Sequence, residues 1–313
     1  MAQAHAAWGT TSILPTTLAA PVPQLTKAIA AVKTAAACKS GPTILGVHLE
    51  GPCLNPLQSG ALAPGSLIEP ADADLETLLD VWPEGLKMMG AAPELRGGMA
   101  LGDRLARRGI TASIAHSNAT YYEVQEAVRH GFCDVTHLYS CCSGLIRING
   151  YRVPGVIEAG LNMDELTVQV IADGKHLPLE LLSLIYRCKG KEKIELITDG
   201  LEFSASSLKE GTVYRQENGV ETVYEDGVMK LPSRQAFAGS VAMLHRCVGS
   251  MVKAGVPLDQ AVRMASENPA RRIGATDKGR IEAGRDADLV LLDDALQPVW
   301  VMARGSIVSD RRR

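Results

Sequence analysis

No apolar run in the 313-residue chain approaches the length of a membrane-spanning helix, which needs about 20 residues. Neither charge is in excess: 32 Lys and Arg stand against 35 Asp and Glu, for a net charge of -3. A balance of that kind provides no basic field for nucleic acid or an anionic membrane. Aromatic residues are scarce at 4%. No internal repeat, low-complexity tract or block of like charge is visible, so neither a solenoid nor a disordered tail is expected. The seven cysteines are odd in number and scattered, and no signal peptide accompanies them, which argues against a disulfide framework and for a reducing, cytoplasmic setting. The adjacent Cys141 and Cys142 lack the second pair at short spacing that a zinc ribbon requires.

What is present is alternation. Short runs rich in β-branched residues occur at Thr10 to Leu14, Thr43 to Leu49, Gly85 to Met89, Ile110 to Ala115, Phe132 to Thr136, Leu166 to Ile171 and Ile194 to Thr198. Amphipathic stretches separate them at Leu25 to Ala37, Gly97 to Arg108, Tyr121 to Arg129 and Pro178 to Lys189. Strands alternating with helices predict a parallel sheet. The expected architecture is an α/β fold of the TIM-like (β/α) barrel type, with seven recognisable strands where a closed barrel has about eight. Beyond them, Gly211 to Leu231 reads as polar hairpins, Val241 to Ala254 and Pro257 to Met264 as helices, and the stretch after Gly279 as a small C-terminal β-layer. The expected division is residues 1–278 for the barrel and 279–313 for the remnant of a small β-sandwich.

Four polar residues each follow one of the strand runs: Glu50, His116, His137 and Asp199. In an α/β barrel the C-terminal strand ends form a single mouth, where side chains distant in sequence converge. Any one of these residues alone would read as a turn former or a packed side chain; together they point to a shared site. Glu50, His116 and His137 give three protein ligands and leave a position open, as a catalytic metal centre requires. Such ligands suit zinc, iron or manganese. Asp199 can take a proton from water and return it to a leaving amine. His176, in Asp173-Gly-Lys-His, can reach a substrate oxygen. His5, His130 and His245 lack partner spacing and are expected to serve surface or packing roles.

With these residues in place, the chain resembles the N-acetylglucosamine-6-phosphate deacetylases of the amidohydrolase superfamily. The phrases that carry the resemblance are Gly9-Thr-Thr-Ser-Ile-Leu-Pro-Thr, Gly46-Val-His-Leu-Glu-Gly-Pro, Ala115-His-Ser-Asn-Ala-Thr, Val135-Thr-His-Leu-Tyr-Ser, Ile171-Ala-Asp-Gly-Lys-His, Thr198-Asp, Phe237-Ala-Gly-Ser, Glu267-Asn-Pro-Ala-Arg and Gly284-Arg-Asp-Ala-Asp-Leu-Val. The resemblance implies one divalent metal ion on Glu50, His116 and His137, Asp199 as base and then acid, and His176 beside the scissile amide. It also implies that Ser140 and Cys141, with Arg147 or Arg152, contact the sugar or phosphate, and that the protein is a homodimer acting on a small sugar phosphate, with no nucleic-acid or membrane partner.

The chain departs from the family pattern in three places. It carries no His-x-His motif of the kind found on the first barrel strand of many amidohydrolases, Leu62 stands where relatives usually carry His, and Ser140-Cys141 replaces the common Asn-Ala. Two alternatives to the deacetylase therefore stand beside it: an amidohydrolase acting on another amide or sugar, and a truncated, non-catalytic homologue.

Overall fold

A computed structural model describes residues 1–38, 41–62, 64–71, 74–217 and 219–312. Its centre is a seven-stranded parallel sheet. The strands are β1 (Thr16–Thr17), β2 (Val47–Glu50), β3 (Leu86–Ala91), β4 (Thr111–Ile114), β5 (Phe132–Val135), β6 (Thr167–Ile171) and β7 (Ile194–Ile197). They are hydrogen-bonded in chain order from β1 to β7, as successive right-handed strand-helix units require. The sheet curls into an open barrel whose two edges are β1 and β7.

The expected first strand is corrected by the structure. Thr10 to Leu14 does not join the main sheet; Ser12–Ile13 pairs with Thr43–Ile44 in a separate two-stranded ribbon. Pro15, which has no backbone N–H to donate, separates that ribbon from β1. The run from Thr43 to Leu49 is divided in the same way by Gly46, at φ 149°. A β-carbon there would lie 2.2 Å from the carbonyl oxygen of Gly85, so only glycine lets the two backbones approach. The first run therefore stays outside the barrel, with β1 beginning after Pro15, while the second supplies two short pieces, one outside the barrel and one inside.

The helices between strands form the outer layer. Tyr121–Arg129 spans the range predicted for it and begins with a capping box, in which the Thr120 hydroxyl accepts from the Glu123 N–H while Glu123 accepts from the Thr120 N–H. Helices Val22–Ala36, Gly98–Arg107 and Leu179–Lys189 lie within a few residues of their predicted ranges. Between the helices and the convex side of the sheet lies a continuous core that includes Leu25, Leu49, Met89, Leu105, Ile114, Phe132, Val168 and Ile185.

The concave side is different. Barrel interiors are usually filled by branched apolar side chains, whereas here Ser113, Asp134, Thr136, Thr167, Gln169 and Glu195 are all buried. Asp134 accepts from Ser113, Thr167 and Gln169, each at 2.7 Å. Arg272, from the short helix Glu267–Arg272, reaches in to Thr167 at 2.7 Å and Glu195 at 3.2 Å. The same helix protects the β7 edge: the Asn268 side-chain amide donates to the carbonyls of Lys191 and Ile194, each at 2.7 Å. A side chain thus does what a neighbouring strand would otherwise do for those carbonyls.

After β7 the chain forms a four-stranded antiparallel sheet (Val213–Arg215, Glu221–Glu225, Val228–Lys230 and Phe237–Gly239), in agreement with the hairpins expected there. Helices Leu244–Lys253 and Leu258–Ala265 follow. A three-stranded antiparallel sheet (Leu289–Leu292, Pro298–Ala303 and Ser306–Asp310) ends the described chain. Lys278 ties this layer to the two-stranded ribbon, bonding Asp288 at 2.8 Å and the Thr43 hydroxyl at 3.0 Å. Among the described residues no helix is long and apolar enough to cross a membrane.

Candidate metal centre and active site

Glu50 ends β2, and His116, His137 and Asp199 each lie two residues beyond the end of β4, β5 and β7. Three of the four adopt the left-handed backbone region, His116 at φ 44°, His137 at 31° and Asp199 at 46°, and Glu50 is followed by Gly51 at 89°. This conformation turns the chain sharply at the strand end and costs a non-glycine residue about 1–2 kcal/mol. Strain of this kind, repeated at adjacent strands, is a mark of a functional site.

The structure brings Glu50, His116 and His137 together. Their ligand-type atoms all lie within 4.8 Å of one another. Glu50 Oε1 is 3.0 Å from His116 Nε2 and 2.7 Å from His137 Nε2, and the three side chains are at most 7% exposed. The two imidazoles meet edge to face, with centroids 4.9 Å apart. His116 Nδ1 lies 2.7 Å from the carbonyl oxygen of Gln58. A carbonyl can only accept, so Nδ1 carries a proton and Nε2 is the atom directed at the shared centre.

Burial alone would discharge the His116 ring, but the adjoining Cys141 thiol and Glu50 outweigh it and raise its pKa to about 10. At His137 burial again opposes the charge, and Cys142 and Glu50 more than restore it. Burial likewise opposes ionisation of Glu50, yet the bonds from His116 and His137 hold its pKa well below the usual carboxylate range. Without a metal the ring N–H groups face the carboxylate, and each of the three is pushed toward its charged form. A divalent cation would displace those protons and use the same three atoms as ligands, leaving a position open. The donor set fits the metal expected from the sequence.

Asp199 stands beside this group. Burial and the nearby Glu50 charge both raise its pKa, opposed by His137 and His176. That makes it a stronger base than an ordinary aspartate. His176 follows β6 and packs against Phe237, with ring centroids 4.8 Å apart. Cys141 reaches the centre as well: a β-carbon at Gly60 would lie 2.5 Å from its sulfur and 3.8 Å from the His116 ring. Ser140 is next to it, its N–H bonded to the His137 carbonyl. Leu62 lies in an apolar patch with Ala19, Leu54 and Ala115.

Arg147 and Arg152 lie on a surface hairpin, Ile146–Ile148 with Tyr151–Val153. They face each other across it, and both are exposed. His5 and His245 are buried, with His245 stacked on Trp8, and His130 bonds Asp103, so none of the three joins the centre.

Several supporting residues escaped the sequence reading. Gln58 acts through its backbone carbonyl, which no residue type reveals. Glu94 binds the loop after His116, accepting from the Asn118 N–H at 2.6 Å, the Ser117 hydroxyl at 2.7 Å and the Asn55 amide at 2.9 Å. Asp134 and Glu195 had a signal: each is a carboxylate inside an apolar strand. His48 shares the interior face of β2 with Glu50 but is not one of the three convergent ligands. Its Nε2 is buried without a partner among the described residues, and burial lowers its pKa to about 4.

An open parallel barrel with a Glu-His-His group that could hold a metal at its C-terminal strand ends has the architecture of a hydrolase. Comparison with known proteins identifies the family. Residues 1–308 match the model of the amidohydrolase family, and the chain belongs to it. It is 32% identical to the N-acetylgalactosamine-6-phosphate deacetylase of Escherichia coli O157:H7, over 95% of this chain and 77% of that one. It is also 32% identical to the N-acetylglucosamine-6-phosphate deacetylase of Bacillus subtilis (strain 168), over 96% of this chain and 75% of that one. Among solved structures, a variant of the N-acetyl-D-glucosamine-6-phosphate deacetylase of Mycobacterium smegmatis in complex with N-acetyl-D-glucosamine-6-phosphate superposes with a TM-score of 0.88 at 29% identity, covering 98% of this chain and 79% of that chain. The enzyme of the same name from Thermotoga maritima gives 0.88 at 29%, covering 99% and 82%. The chain thus spans about three quarters of the length of these relatives.

Proposed function

We propose that the protein removes the acetyl group from an N-acetylhexosamine 6-phosphate, with N-acetylglucosamine 6-phosphate as the first substrate, giving glucosamine 6-phosphate and acetate. The observation that carries this reading is the buried convergence of Glu50, His116 and His137 at the barrel mouth, in a chain about 30% identical to deacetylases of both the gluco and the galacto sugar phosphates.

Glu50, His116 and His137 would hold one divalent ion, zinc, iron or manganese. When bound, it would polarise the acetamide carbonyl and acidify water. Asp199 takes the proton from the attacking water. As the C–N bond breaks, Asp199 passes that proton to the amine nitrogen, so that acetate and the free amino sugar leave together. His176 lies against the acetamide, and Ser140 and Cys141 border the sugar. In this reading the protein is a cytoplasmic homodimer. The hairpin carrying Arg147 and Arg152 exposes Ile146, Ile148 and Tyr151 and faces a second copy, where its guanidinium groups meet the phosphate.

Acetate release tests the proposal. The purified chain, with added zinc, iron or manganese, is expected to deacetylate N-acetylglucosamine 6-phosphate, with N-acetylgalactosamine 6-phosphate measured in parallel and the unphosphorylated sugars left intact. Metal-dependent release from a different amide alone would favour another amidohydrolase reaction, and bound metal with no turnover on any of them would overturn the reading.

A further inference from the structure

Asp173 is a carboxylate near the mouth to which the reaction above gives no role. It lies two residues beyond β6, and its side chain is 2% exposed. Its Oδ1 accepts from the N–H groups of Lys175 and His176, both at 2.8 Å, across a turn that Gly174 makes possible at φ 74°. Those two bonds complete an Asx turn, and the backbone asks nothing more of the side chain. The second oxygen, Oδ2, is nevertheless aimed at His176 Nδ1, 2.8 Å away.

The carboxylate is in the state that such an arrangement needs. Burial would raise its pKa, but the bonds from the His176 ring and from the two backbone N–H groups hold it below the ordinary aspartate value. An ionised carboxylate accepts only, so the facing nitrogen must carry a proton. Phe237 covers a face of the same ring. One restraint on the ring edge and another on its face leave His176 little freedom to rotate. Nε2 remains as the ring nitrogen without a hydrogen-bond partner among the described residues, on a side chain only 6% exposed. The ring is near enough to Asp199 to act on that carboxyl.

We infer that Asp173 is a positioning residue for the deacetylation, fixing the proton of His176 on Nδ1 and presenting Nε2 to the substrate. The inference rests on the function proposed above for its effect on turnover, although the proton's position can be read without any substrate. A carboxylate behind an imidazole sets both its tautomer and its orientation, and loss of that partner places the proton on the wrong nitrogen.

The test uses the full chain labelled with 15N-histidine, its His176 signals assigned by comparison with His176→Gln. Wild-type protein is expected to show a protonated Nδ1. Asp173→Asn keeps an oxygen for the two backbone N–H groups but offers an N–H to the ring, so the proton should move to Nε2. With metal content unchanged, kcat/KM should fall by about 100-fold, the scale of loss when the outer partner of a functional imidazole is replaced. The double variant with His176→Gln should lose no more than His176→Gln alone. An unprotonated Nδ1 in the wild type overturns the inference even if the variant fails to fold, as does an unmoved proton in Asp173→Asn or a loss that adds to that of His176→Gln. Absent turnover with the expected tautomers would count against the proposed function and leave the positioning of His176 standing.

Discussion

His116 and His137 occupy adjacent strands at the same level, and each leaves its strand through a left-handed turn. The turn, more than the strand, aims the side chain: it places Nε2 of both rings on one oxygen of Glu50. The residues should therefore separate by role. Asp199→Asn is expected to retain metal and lose turnover by about 10²- to 10⁴-fold, the usual contribution of a positioned acid-base group. His116→Ala should lose both. Elemental analysis alongside acetate release makes the distinction, and a fully active Asp199→Asn would remove that residue from the mechanism. The candidate ligands could be picked out in the sequence because each polar residue ends an apolar run. The backbone carbonyl of Gln58 could not, since any residue supplies one.

Among the elements, β4 to β7 carry the polar interior beneath the centre, and Glu195 on β7 is the member whose ionisation is most altered. Burial and the charge of Asp134 raise its pKa from 4.5 to about 8, against the pull of Arg272. A carboxyl whose pKa rises on folding binds more protons folded than unfolded between those two values. Stability should then decline as pH climbs from 4.5 through about 8. Glu195→Gln, which cannot ionise, should flatten that decline; urea midpoints at pH 6 and pH 9 measure it, and an equal fall in both proteins would refute the assignment. The strands that hold this network were legible from their apolar runs, and the helix Tyr121–Arg129 from its amphipathic pattern. Helices Leu75–Val81 and Val156–Asn162 were not, being only seven residues each and too short for periodicity to show. The division of the second strand run is hidden for another reason: the close approach of Gly46 to Gly85 is a contact between segments, absent from local sequence.

Over the whole molecule, segments far apart in the chain are joined by a few buried polar contacts. Lys278, 4% exposed, bonds Asp286 at 2.6 Å and Asp288 at 2.8 Å, while Asp288 also accepts from the Arg304 N–H at 2.8 Å and the Ser12 hydroxyl at 3.5 Å. Asp288→Ala should destabilise the protein by about 2 kcal/mol, less than a fully broken buried pair because Lys278 keeps Asp286. Chemical denaturation of the two proteins provides the comparison, and an unchanged midpoint would show that the C-terminal layer is held by its apolar contacts alone. The parallel order of the sheet followed from alternation in the sequence, but this clamp joins residues 276 positions apart, a distance no local pattern reports.

The left-handed turns at His116, His137 and Asp199 have a bearing on what mutation can do there. Each is a position where glycine would relax the backbone, and His116, His137 and Asp199 stand there against that local preference. Glycine at any of the three would ease the turn and at the same time remove the side chain that the turn aims, so at these places an unstrained backbone and a complete constellation exclude each other.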